Sequence, residues 1–105
     1  MTSPSQVEMS FHNELLAIYR NAKEVCGYIA TRFLQMVAND GGLRTANRLL
    51  ATKEPSDGFT ELWEYGRLDL TVENLVIQAK HKALFTSEEI IIAQERLNAI
   101  GFLKN

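Results

Sequence analysis

The chain is short of several things. It has one cysteine, Cys26, in 105 residues. A lone thiol excludes a disulfide framework and any zinc site built from several cysteines. No apolar run approaches the roughly 18–20 residues that cross a bilayer, and Ile90-Ile91-Ile92-Ala93 is among the longest. The first residues lack a basic region followed by an apolar stretch, so no signal peptide is expected. An excess of charge is also missing: 11 Lys+Arg stand against 13 Asp+Glu, a net charge of −2. That balance argues against binding nucleic acid through bulk electrostatics. Neither an internal repeat nor a low-complexity segment is found.

What is there reads as one folded helical domain. The apolar fraction of 46% is too high for disorder at so small a net charge. Apolar residues recur at helical spacing through Phe11, Leu15, Ile18, Ala22 and Val25. Gly27 costs about 1 kcal/mol inside a helix and suits a C-terminal cap. A second stripe runs through Ile29, Phe33, Met36 and Val37, so either one long helix crosses Gly27 with a kink or two helices meet near it; two are the favoured reading. Gly41-Gly42 ends the second helix, and Leu43, Ala46, Leu49 and Leu50 mark a third. Glu54-Pro55-Ser56-Asp57-Gly58 is a loop. Phe59, Leu62 and Trp63 then share a face of a short helix closed by Gly66. Arg67 to Thr71 alternates with no strand to pair with and reads as an extended connector.

The last two helices carry the most specific start signals. Thr71 is placed to cap a helix, with Leu70 and Leu75 at the staple positions. Thr86 and Glu89 form a capping box, with Phe85 and Ile90 as its staple. The expectation is an all-α fold, a compact single-domain bundle of five to six short helices. They fall near residues 10–26, 29–40, 43–51, 58–65, 72–79 and 87–100. Residues 1–9 read as a flexible N-terminal segment and 10–105 as the helical domain. Ser10 is the expected N-cap of the first helix, with Ser3-Pro4 as an earlier alternative start.

Several stretches carry a resemblance. They are Phe11-His12, Ala30-Thr31-Arg32-Phe33-Leu34-Gln35-Met36-Val37, Gly41-Gly42-Leu43, the runs Pro55 to Glu64 and Gly66 to Glu73, and Leu84 to Glu89. Together they cover most of residues 10–103. In these the chain resembles a family of small bacterial all-helical proteins with no assigned function. Some of those stand beside, or are fused to, nuclease-like or defence-associated domains. The resemblance implies a bacterial or phage setting and a connection to nucleic-acid processing or defence. It carries over no catalytic or binding residue.

The candidate chemistry is sparse. Trp63, Glu64, Arg67 and Asp69 are close enough in sequence to form a polar ligand or partner cluster. The plainer reading makes Trp63 a core anchor and lets Arg67 pair with a nearby carboxylate. Arg32, Arg44 and Arg48 are candidate nucleic-acid contacts, because a glycine turn before helix 43–51 loosely fits a helix-turn-helix. The first 53 residues hold six Lys/Arg against four Asp/Glu, and the rest five against nine, so the first part is mildly basic. A hydrolase or nuclease would need His12, Glu64 and Asp69 to converge. No metal-ligand spacing occurs, no cofactor is implied and no catalytic residue is assigned. His12 reads as a solvated helix-start histidine, Lys80-His81-Lys82 as a solvated basic loop, and Cys26 as a buried inert thiol. The expected function is a non-enzymatic cytoplasmic protein-interaction module with a protein partner. The alternatives are a nucleic-acid-binding accessory domain using Arg44 and Arg48, and then a small hydrolase or nuclease. No membrane association is expected.

Overall fold

The computed structural model describes residues 6–99, and among them the fold is all-α with no strand. Six α-helices follow one another: α1 (Gln6–Cys26), α2 (Thr31–Asp40), α3 (Gly42–Ala51), α4 (Asp57–Glu64), α5 (Val72–Val76) and α6 (Ser87–Ala99). Two 3-10 turns, Leu68–Leu70 and Ala79–Leu84, join the later helices. α1 ends where Gly27 turns to φ 70. There the Gly27 N–H donates to the Lys23 carbonyl at 3.1 Å, and the chain leaves for α2. The break at Gly27 is therefore a true end to the helix.

Local signals place the later helices. Thr71 Oγ1 accepts from the Asn74 N–H at 3.2 Å, and Leu70 and Leu75 are both buried beside it. The Thr86 box is complete: the Glu89 N–H donates to Thr86 Oγ1 at 3.1 Å, and the Thr86 N–H donates to Glu89 Oε1 at 2.9 Å. Ser56 caps α4 by accepting from the Phe59 N–H at 3.3 Å. Such caps satisfy amide donors that have no partner within the helix.

Other expectations are corrected. α1 begins at Gln6, so Ser10 is not its cap; inside the helix its hydroxyl donates to Glu14 at 3.2 Å. The earliest part of the expected flexible segment, residues 1–5, lies outside the described residues, as does the expected stop at Gly101. The helix expected over 72–79 ends at Val76, because Gln78 takes an extended ψ of 138 and the chain re-enters as a 3-10 turn. The expected connector is itself a 3-10 turn over Leu68–Leu70.

The main core joins α1, α3, α5 and α6. Phe11, Leu15, Ala46, Leu50, Val76 and Ala93 are essentially sealed from solvent in it. Each fully buried Leu or Phe contributes about 1.5–3 kcal/mol of transfer free energy. Two smaller clusters lie beneath α4: Ala22, Cys26, Leu62 and Leu70 form one, and Phe59, Leu68 and Leu97 the other. Cys26 is a free, buried thiol.

α3 is the central helix, and its ends are capped from far away in sequence. The Gly42 N–H at its start donates to His12 Nδ1 of α1 at 3.0 Å. This needs very close approach: a Cβ on Gly42 would lie 2.9 Å from the His12 Cα. At its far end Arg96 of α6 donates to the carbonyls of Leu49 at 3.0 Å and Thr52 at 2.7 Å. A guanidinium there also suits the negative end of the helix dipole.

Candidate functional site

The structure disperses most of the side chains the sequence singled out. Trp63 is no core anchor; it is 48% exposed. On α4, Phe59 and Leu62 already fill the space below, so Trp63 falls on the outer edge of the buried face. Glu64 beside it is exposed. Arg67 does pair with a carboxylate: its Nε and Nη2 donate to the two Asp69 oxygens, both at 2.9 Å. That hydrogen-bonded guanidinium holds the Asp69 carboxyl below its ordinary value against the opposing effect of burial. His12 is not with them. Leu62 and Leu70, which bracket Glu64 and Asp69, pack on Ala22 and Cys26 of α1. His12 lies ten residues earlier on that helix, about 15 Å away along its axis. The acid–base trio His12, Glu64 and Asp69 is therefore not assembled.

Nor is His12 a solvated histidine, because its Nδ1 is committed to Gly42. His81 departs further from expectation, at 1% exposure. Its Nδ1 donates to the Leu75 carbonyl at 2.8 Å, and its Nε2 lies 3.3 Å from Glu14 Oε2. The ring meets Phe11 edge-on at 5.1 Å. Lys80 pairs with the same Glu14 oxygen at 3.0 Å. Partial burial pushes the Glu14 carboxyl upward, but Lys80, His81 and Ser10 outweigh it and hold it below its ordinary value. This cluster clamps the 3-10 turn onto α1.

A second buried polar group was missed altogether. Arg96 Nη1 donates to Glu73 Oε2 at 2.9 Å, with both side chains nearly sealed. The signal was present in the pattern. Arg96 sits on the same buried stripe of α6 as Ala93 and Leu97, and a charge on such a stripe demands a partner.

The arginines fare differently. Arg44 and Arg48 are both exposed on one face of α3, one turn apart. Arg48 is paired with Asp40 at 3.2 Å. Arg32 is exposed in the first turn of α2.

The most site-like feature is a groove of about 690 Å³ that the sequence reading did not anticipate. It exists because α2 rests chiefly on α3 and buries only Val37, which leaves the inner side of α2 uncovered. Its lining includes Phe33 and Met36 of α2, Leu49 of α3, Ile18 of α1, and Phe59 and Leu62 of α4. Tyr28 reaches into it from the α1–α2 connection, with its hydroxyl 3.5 Å from where a Gly58 Cβ would stand. Burial raises the Tyr28 phenol above its ordinary value, and the charges of Glu61 and Asp57 raise it further. The groove lining also includes Arg32 of α2, Arg48 of α3, Glu54 of the loop that follows and Asp57 of α4. Volume and lining fall in the range of ligand and peptide sites.

Four large apolar side chains are exposed at the ends of α1 and α4, and one of them, Ile29, also lines the groove. Val25 stands in the last turn of α1 and Ile29 just beyond its end, and Trp63 and Tyr65 stand at the end of α4. These helix ends meet through Cys26 and Leu62.

Among the described residues no group of three or more His, Cys, Asp or Glu side chains is arranged to hold a metal ion. No described helix is long and apolar enough to cross a membrane. Comparison with family models, curated proteins and solved structures gives no match to this chain.

Proposed function

We propose that this all-α domain is a non-enzymatic, cytoplasmic protein-interaction module, in the bacterial or phage setting that its resemblance implies. The observation that carries the reading is the apolar groove between α2 and α4. A helix that leaves Phe33 and Met36 half-covered gives up burial that a closed packing would gain. The dispersal of His12, Glu64 and Asp69 removes the most direct route to acid–base chemistry. The test is selection of random peptides displayed on phage, run in parallel on the wild-type domain and on Met36→Lys. Enrichment on wild type that disappears on the variant supports the reading. Equal enrichment on both, or none on either, overturns it.

A second reading places nucleic acid on the exposed Arg44/Arg48 face of α3, with Arg32 nearby. The observation favouring it is that Arg44 and Arg48 share that face. The pairing of Arg48 with Asp40 weakens it by neutralising half of the pair. Anisotropy of labelled duplex DNA at low salt decides the matter. Absence of binding below about 100 μM removes this reading, since non-specific binders reach that range.

A further inference from the structure

We infer that the Ala79–Leu84 turn is a proton-operated latch, held on α1 while His81 is an imidazolium and loosened when the ring becomes neutral. The inference does not depend on the groove or on the function proposed above.

Donors and acceptors around the ring do not balance for a neutral imidazole. Nδ1 stands 2.8 Å from the Leu75 carbonyl oxygen, and Nε2 stands 3.3 Å from Glu14 Oε2. Both partners are acceptors, since Glu14 has its carboxyl held below its ordinary value and is ionised. A neutral ring has one N–H and one lone pair, so in either tautomer a lone pair faces an oxygen. Only the imidazolium donates at both nitrogens. Water gives no relief, because the ring is 1% exposed and packed edge-on against Phe11.

α1 and α5 pack against the turn. From α1 the facing charge is Glu14, whose Oε2 also takes Lys80 at 3.0 Å and the Ser10 hydroxyl at 3.2 Å. From α5 comes the Leu75 carbonyl, while Glu73, the titratable residue of that helix, faces Arg96 instead. Lys82 of the turn is exposed. Burial and the Lys80 ammonium oppose a charge on the ring; Glu14 and the Leu75 carbonyl favour it. The charged ring ties α1, the turn and α5 together through one side chain. Loss of its second proton turns the Nε2 contact into a lone pair set against a carboxylate. The latch therefore holds between two limits. On the acid side it fails as pH falls through the lowered Glu14 value. On the alkaline side it fails as pH rises and His81 gives up its second proton.

The test follows the ring nitrogens by NMR from about pH 5 to about pH 8.5, a span that brackets histidine. His12, the one other histidine, gives separate signals. Hydrogen exchange of the His81 and Phe85 amides, which donate to the Gln78 and Lys82 carbonyls, reports the turn. Protection of both, corrected for the intrinsic effect of pH, should fall about fivefold or more as the ring becomes neutral, the change that follows when a buried group loses its partner. In Glu14→Gln the carboxamide donates to the Nε2 lone pair, so the neutral ring fits and the alkaline fall should vanish. Lys80→Gln removes the rival cation from Glu14 and should move the fall to higher pH. A ring that keeps one protonation state throughout, or one that titrates without a change in turn protection, overturns the inference. So does a fall of wild-type size in Glu14→Gln, or one that Lys80→Gln leaves in place or moves to lower pH.

Discussion

The two sides of this small domain are built to different standards. On one side α1, α3, α5 and α6 close over Phe11, Leu15 and Leu50, with side chains sealed from solvent. No buried side-chain nitrogen or oxygen there lacks a hydrogen-bond partner among the described residues. On the other side α2 buries one residue and lines an open groove together with residues of α4. The difference shows where the stability resides and which part of the surface is left free for recognition. Because the packed side alone holds α3 from both ends, α2 can remain half-covered while the fold persists.

That contrast can be broken by substitution. The largest effect is expected from Arg96→Ala, which leaves Glu73 charged and buried and strips the Leu49 and Thr52 carbonyls of their donor. Removing one partner of a buried pair costs about 3–5 kcal/mol, measurable by urea unfolding. Replacing both partners together, Glu73→Met with Arg96→Met, should recover much of that loss. Next comes Leu15→Ala in the sealed core, at about 2–5 kcal/mol. Met36→Ala across the groove should stay under about 1 kcal/mol. Equal costs for these two would erase the distinction between the two sides.

Gly42→Ala tests the close contact of α1 with α3. Its new methyl would meet the His12 backbone at 2.9 Å, so one helix must shift. A cost of about 1–3 kcal/mol is expected in thermal or urea unfolding. Ser56→Ala, which removes only the α4 cap, should cost about 1 kcal/mol.

The smallest effect concerns pH. The Glu14 carboxyl is held below its ordinary value in the folded state, so its contribution is fully present above the unfolded carboxyl range. That contribution is lost as pH falls through the lowered folded value. The same holds for Asp69. Both groups are partly exposed, so each contribution is small. In a series of urea unfolding curves, Glu14→Gln should flatten the acid-side fall in stability. An unchanged slope would remove Glu14 from the clamp on the 3-10 turn.

How much of this was legible varies with the distance over which each interaction acts. Thr71, Thr86 and Glu89 were legible because a cap and its amide lie three residues apart, so spacing alone fixes the geometry. The turn at Gly41 was legible for the same local reason, whereas at Gly27 the sequence left a kink and a true break both open and the left-handed backbone there decided for the break. His81 was misread because its partners are Leu75 and Glu14, six and sixty-seven residues away. Trp63 was misread because periodicity marks a face without telling how far round the helix the core extends. The groove left no local mark at all, since it is a space between elements.

The sequence by itself determined the fold class, the helix boundaries to within a few residues and the helix starts at Thr71 and Thr86. These depend on side chains and backbone within one or two turns of each other. Only the tertiary structure decided that His12 and Arg96 hold the two ends of α3, that Glu73 finds its counter-charge and that residues of α2 and α4 line one groove. Such outcomes depend on which helices come to lie side by side. That arrangement follows from packing across the whole chain and is written in no single segment of it.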